Sequence, residues 1–190
     1  MFGFGCRGTG LMNARDISLR EIDLTRDLRT LETFDASFTT DRIYRLATNG
    51  LSAEFIEEVL PERLTKRYDV SGIRHAVAES ELALLAEVDR KAVGFMTVKL
   101  EAWNRRVWIT HLYVSPKNKN LGLGSRLVDE ADRFARKRDA RALWLETQNF
   151  NYPAIQFYLK RGFRFCGFDE SLYDPSVVPG ETAIYLSRDL

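Results

Sequence analysis

The chain has 190 residues, 45% of them hydrophobic and 29% charged, which suits one folded domain and excludes whole-chain disorder. Twenty-eight Lys and Arg against 27 Asp and Glu leave a formal charge of +1, without the basic excess of a nucleic-acid binder. Two cysteines exclude a disulfide scaffold, and no apolar run approaches the roughly 18 residues of a membrane span. The opening MFGFGCRGTGLM lacks the apolar stretch of a signal peptide, so a cytoplasmic protein with no membrane or nucleic-acid partner is expected.

Residues 1–14 hold four glycines and read as a flexible extension, with Met12 as an alternative start; 15–190 read as a single domain. Residues 17–21 read as a short strand. Leu24, Leu28, Leu31 and Phe34 then form one helical stripe. Residues 42–48 and 51–59 flank Asn49-Gly50, a hairpin turn, and Pro61 is expected to end the second strand.

Three strand-like runs follow, 82–88, 92–102 and 106–115, with short links that imply antiparallel neighbours. Residues 122–138 carry a helical stripe through Leu123, Leu127, Ala131, Phe134 and Ala135. Residues 142–148 read as a strand. Pro153 opens a helix over 153–161, and Gly162 caps it. Strands 163–168 and 181–187 close the chain. The expected class is α/β: a mixed, mostly antiparallel twisted sheet of about seven strands flanked by helices.

The charge is not evenly spread. Asn104 to Arg141 holds ten basic and four acidic residues, so the rest of the chain is acidic. Within the basic third, VSPKNKNLGLGSR (114–126) runs from a strand end through a polar loop into a helix. The first N–H groups of a helix lack intrahelical partners and sit at the positive end of its dipole. Gly122 and Gly124 would let an anion approach them, with Lys117, Lys119 and Arg126 nearby. Neither a Walker loop nor a dinucleotide fingerprint fits, because Ser125-Arg126 and Leu127 stand where Lys-Ser/Thr and a third glycine belong. Glycines that only permit close packing are the plainer alternative.

KNLGLG (119–124) resembles the pyrophosphate loop of the GNAT family of N-acetyltransferases, with Lys119 in place of Gln or Arg. NYPAIQFYLKRGF (151–163) resembles that family's second signature, an Asn followed by a helix with a Tyr and a Gly-Phe end. SFTTDRIYRL (37–46), LTK (64–66), AWNRR (102–106), ALWLETQNFNYPAI (142–155) and FRFCGFDESLYD (163–174) resemble the streptothricin (nourseothricin) acetyltransferases within it.

The resemblance implies a GNAT-type fold and direct transfer of an acetyl group from acetyl-CoA, as cosubstrate, to an amine in a ternary complex. It implies coenzyme contacts from Leu112, Tyr113, Val114, Lys119, Leu121, Gly122, Gly124, Ser125, Asn151 and Tyr158, with the Val114 N–H as donor to the thioester oxygen. Tyr158 is the candidate acid for the leaving thiolate, since a phenol is protonated at neutral pH. Glu146 is the candidate base, or else a cation-binding or ion-pairing group; His111 is a second candidate base. A cationic antibiotic would call for acids and aromatics, for which Asp35, Asp41, Trp103, Glu170 and Tyr173 are candidates, with Asp169 and Asp174. Arg136-Lys137-Arg138 could touch the coenzyme's 3′-phosphate. His75, His111, Cys6 and Cys166 show no metal-ligand spacing, Cys166 reads as a core filler, and a homodimer is possible. The alternatives are acetylation of protein N-termini or lysines, and a non-catalytic acyl-CoA sensor.

Overall fold

The computed structural model describes residues 16–190, so the extension 1–14, Cys6 and the start at Met12 lie outside the described residues. Two sheets organise the rest. Seven strands run in the order β1-β4-β5-β6-β7-β9-β8, and β2 and β3 form a two-stranded sheet of their own. In chain order these are β1 (Ile17–Glu21), α1 (Leu24–Glu32), β2 (Ser37–Asn49), β3 (Ser52–Arg67), α2 (Ile73–Ala78), β4 (Leu82–Val88), β5 (Lys91–Glu101), β6 (Arg106–Val114), α3 (Leu123–Lys137), β7 (Ala142–Gln148), α4 (Tyr152–Lys160), β8 (Arg164–Asp169) and β9 (Ala183–Asp189). The mixed, mostly antiparallel seven-stranded sheet is the expected one. Its one parallel pair is β6 with β7.

The hairpin departs from expectation. β3 does not end at Pro61 but continues to Arg67, and β2 begins at Ser37. Thr40 pairs with Leu64 but Arg42 with Val59, so residues 60–63 bulge opposite Asp41 alone. A proline tolerated in a bulge needs no ladder donor. The six-residue α2 has too little length for a readable stripe and was not expected. Phe34 lies beyond the end of α1, buried edge-to-face against Phe95.

Strand alternation sorts the core. On β7, Leu143, Leu145 and Thr147 are buried, while Trp144, Glu146 and Gln148 are half-buried on the other face. The α3 stripe packs on the first face, where Leu127, Val128 and Ala131 meet Val107, Ile109, Leu143 and Leu145. Helices α1 and α2 cover the other face at Leu85 and Phe95. Cys166 corrects the core-filler reading: β8 is an edge strand and the thiol is exposed.

Candidate active site

β6 and β7 are hydrogen-bonded neighbours only from Arg106–Ile109 to Ala142–Leu145. Beyond that they part. Thr97 pairs with His111 but Val98 with Ile109, so Thr110 is an extra residue that bends β6 away. The gap opens beside the glycine loop. Ser115 N–H donates to Val93 O at 2.8 Å, across to β5. Alternation then turns the N–H groups of Leu112 and Val114 the other way, toward the gap.

On one side lies a cleft of about 480 Å³. Leu112, Tyr113, Val114, Lys119, Gly122, Gly124, Ser125, Asn151 and Tyr158 all line it. Leu121 does not; it packs half-buried against the core. Gly122 caps α3 with φ +76, a left-handed conformation that favours glycine, and no side chain caps the helix. The first helical bond runs from Arg126 N to Gly122 O at 3.0 Å, which leaves the N–H groups of Leu123, Gly124 and Ser125 without helical partners.

Gly124 has another reason to be glycine. A Cβ there would lie 3.2 Å from Cζ of Phe157, so its bareness lets α3 pack on α4 rather than clearing room for an anion. Lys119 Nζ reaches Ser37 O at 3.4 Å, and burial pulls its ammonium pKa down while Asp35 offsets this. Arg136, Lys137 and Arg138 sit at the far end of α3, about 20 Å from the loop at 1.5 Å per residue. Arg136 pairs with Asp132, and Arg138 lies over Phe134.

A second cavity of about 100 Å³ lies on the other side of the gap. Ile109, Thr110, His111, Glu146, Thr147 and Gln148 line it, and Tyr68, Leu112, Tyr113, Asn151, Ala154 and Tyr158 border both cavities. Burial raises the pKa of Glu146, and this outweighs the lowering by the Tyr173 hydroxyl, which donates to it, and by the Lys66 charge. Burial lowers that of His111, whose Nδ1 is 2.9 Å from Thr97 Oγ1. Tyr158 is buried, edge-to-face with Phe157 and Phe163, and desolvation holds its phenol protonated. It is thus both a core residue and a cavity wall. Burial pushes the Tyr113 phenol up to about 12.

Asn151 is doubly engaged. Its Oδ1 accepts from Ala154 N at 3.2 Å, capping α4, and its Nδ2 donates to the Tyr68 hydroxyl at 2.8 Å. Lys66 pairs with the buried Glu181, and its ammonium lies 5.5 Å from the centre of the Tyr68 ring.

The structure does not gather the candidate substrate residues. Tyr173 reaches Glu146, as above. Asp41 is exposed opposite the β3 bulge, 4.0 Å from Arg42, and Glu170 is exposed in the turn after β8. Asp169 and Asp174 accept hydrogen bonds from Ser171 and Ser176 within their own turns. Asp35 pairs with Arg67 at 3.3 Å, beside the larger cleft. Trp103 is 84% exposed on the β5–β6 turn, on the order of 20 Å along β6 from His111. The acids therefore do not share one cleft.

Tyr68, Lys66, Gln148 and Glu181 are residues that sequence reasoning did not assign to the site. Two of them carried a signal: Lys66 lies in the LTK segment of the resemblance, and Gln148 stands two positions from Glu146 on one strand face. No group of three or more His, Cys, Asp or Glu suited to a metal occurs among the described residues. No described helix is long and apolar enough to cross a membrane.

The sequence profile of the Acetyltransferase (GNAT) family matches residues 41–163. The chain is 34% identical to a streptothricin acetyltransferase of Streptomyces lavendulae, over 85% of this chain and 89% of that protein. The structure superposes with a TM-score of 0.83 on a nourseothricin acetyltransferase, 34% identical, over 91% of this chain and 98% of the other. It also superposes, at 0.77 and 28% identity over 92% of this chain and 100% of the other, on a Bacillus anthracis str. Ames protein in complex with acetyl coenzyme A.

Proposed function

The chain belongs to the acetyltransferase (GNAT) family, and from that premise we propose that it moves an acetyl group from acetyl-CoA to a primary amine of a streptothricin-type antibiotic. One observation carries the chemistry: two cavities of opposite character share a wall where β6 and β7 part. One offers unpartnered helix N–H groups. The other offers a half-buried carboxylate.

The larger cleft fits the coenzyme. The N–H groups of Leu123, Gly124 and Ser125 suit a pyrophosphate, and Lys119 adds charge. When bound, acetyl-CoA supplies the activated acetyl thioester. The Val114 N–H, turned into the gap, would donate to the thioester carbonyl oxygen as charge builds on it. Tyr158 holds its proton at Oη and can donate it to a departing sulfur. Glu146 accepts from Tyr173 at Oε1, which leaves Oε2 to take a proton from an incoming ammonium.

The test is release of free thiol from acetyl-CoA with a panel of amines. Turnover with streptothricin well above that with peptide N-termini or lysine peptides is the expected result. Preference for peptides would overturn the substrate assignment, and coenzyme binding without turnover on any amine would favour a sensor.

A further inference from the structure

Glu146 and Asn151 stand only five positions apart, yet a chain of hydrogen bonds joins them by a longer route. Asn151 Nδ2 donates to Tyr68 Oη at 2.8 Å. Tyr68 Oη donates to Gln148 Oε1. Gln148 Nε2 donates to Tyr173 Oη at 2.8 Å. Tyr173 Oη donates to Glu146 Oε1. The route crosses the end of β3, the end of β7 and the segment after β8; it starts at the wall that both cavities share and ends on the lining of the smaller one.

The chain can point only one way. A phenol has one proton, and each tyrosine here bridges two partners. Asn151 Oδ1 is committed to Ala154 N–H at the start of α4, so the amide turns its Nδ2 toward Tyr68. Tyr68 therefore accepts from Asn151 and must spend its proton on Gln148 Oε1. That orientation leaves Gln148 Nε2 facing Tyr173, whose proton is then free only for Glu146. Reversal would need Tyr68 to donate toward an Nδ2 that cannot accept. A helix cap thus sets the direction of every donor as far as the carboxylate.

We propose that Asn151, Tyr68, Gln148 and Tyr173 form a one-way chain of donors that holds the Glu146 carboxylate as a hydrogen-bond acceptor facing the smaller cavity. Tyr68, Gln148 and Tyr173 are then positioning residues for Glu146. The role rests on the reading of Glu146 as the group that takes the amine's proton. It explains how a carboxylate pressed toward its neutral form by burial is kept ready to accept. The other groups that face Glu146 are Lys66 from β3, Tyr113 and His111 from β6, Tyr158 from α4 and Tyr185 from β9. Lys66 is the one cation among them, and Glu181 already pairs with it.

The experiment reads Glu146 directly, without turnover. The protein is labelled with 13C at glutamate side-chain carboxyls, and the Glu146 signal is identified by its loss in Glu146→Gln. Its titration is followed in the intact protein and in Tyr173→Phe, Tyr68→Phe and the double variant, with Gln148→Leu as a second break in the chain. Thermal midpoints check that each variant is folded.

The expected result is an upward move of about one pH unit in Tyr173→Phe and roughly half a unit in Tyr68→Phe. The double variant should move no further than Tyr173→Phe alone, because the chain is already cut at its last link. Gln148→Leu should resemble Tyr68→Phe. An unmoved titration in both Tyr68→Phe and Gln148→Leu would overturn the chain, and so would shifts that simply add. The assignment of Glu146 as base fails separately, if Glu146→Gln keeps full turnover.

Discussion

At the scale of single residues, the proposed chemistry depends on two groups driven in the same sense by one cause. Burial raises the pKa of Glu146, which makes it a stronger base than an exposed carboxylate. Burial also keeps the Tyr158 phenol protonated throughout the useful pH range. Glu146 takes a proton only when ionised, so activity should rise with pH through its raised pKa, above the usual glutamate value of about 4.3. Glu146→Gln should lower kcat by about 10²-fold or more and remove that acidic limb; a pH–rate profile checks it. Tyr158→Phe should lower kcat by roughly 10-fold or more with little change in KM for acetyl-CoA, which steady-state kinetics would show.

At the scale of elements, the two loop glycines answer different demands, and their variants should separate. Gly122 adopts φ +76 with open space around its missing Cβ. Gly122→Ala therefore strains the start of α3, costs about 1 kcal/mol, and should raise KM for acetyl-CoA. Gly124→Val would push into the Phe157 ring, which stands 3.2 Å from even a Cβ. It should cost about 1–3 kcal/mol of stability by overpacking the α3–α4 contact. Denaturation midpoints with coenzyme KM values distinguish the two.

The same loop shows how far sequence reading reached. Strand, loop, glycines and helix are contiguous, so the loop and its unpartnered helix N–H groups were legible from local chemistry. The packing role of Gly124 was not, because Phe157 lies 33 positions away. Pro61 misled for a related reason: proline ends a paired strand, and only the register of β2 against β3 reveals the bulge that accommodates it. Trp103 lies within a segment resembling the subfamily, but the β5–β6 turn carries it to the end of β6 away from His111, where it is exposed.

At the scale of the molecule, one ion-pair network ties β1, α1 and β4 on the sheet edge away from β7. Arg20 donates to Asp27 at 2.6 and 2.9 Å and to Glu87 at 2.8 and 3.0 Å. Asp27 is buried, and Arg20 holds its carboxyl well below the ordinary range. The sign follows. The stabilisation is complete above the unfolded aspartate pKa of about 3.9 and is lost as pH falls through the depressed folded value. Arg20→Met would leave the Asp27 carboxylate with only the Arg26 Nε at 3.1 Å and the Asp23 N–H at 2.9 Å, and should cost about 2 kcal/mol near neutral pH, with the difference from the parent shrinking in acid. Urea denaturation at two pH values measures it.

The balance of charge looks different at this scale too. Much of the basic third is neutralised by pairing, as in Arg105–Asp139, Arg106–Glu101, Arg133–Glu130 and Arg136–Asp132. Near the glycine loop, Lys119 and Arg126 instead reach backbone carbonyls. Of the two, Lys119 lines the cleft while Arg126 reaches across to β1, so position matters more than the regional sum.

By itself the sequence determined the local grammar: strand and helix periods, the α3 loop, the opening of α4 at Pro153 and the alternation that turns Glu146 away from Leu143 and Leu145. Each depends on residues a few positions apart, where geometry follows from backbone repeat. Only the tertiary structure decided that Tyr68, Gln148 and Tyr173 join Asn151 to Glu146, that Lys66 meets Glu181, and that the candidate acids do not converge. Those contacts span up to 115 positions, and their partners are chosen by how the strands pair and where β6 bends.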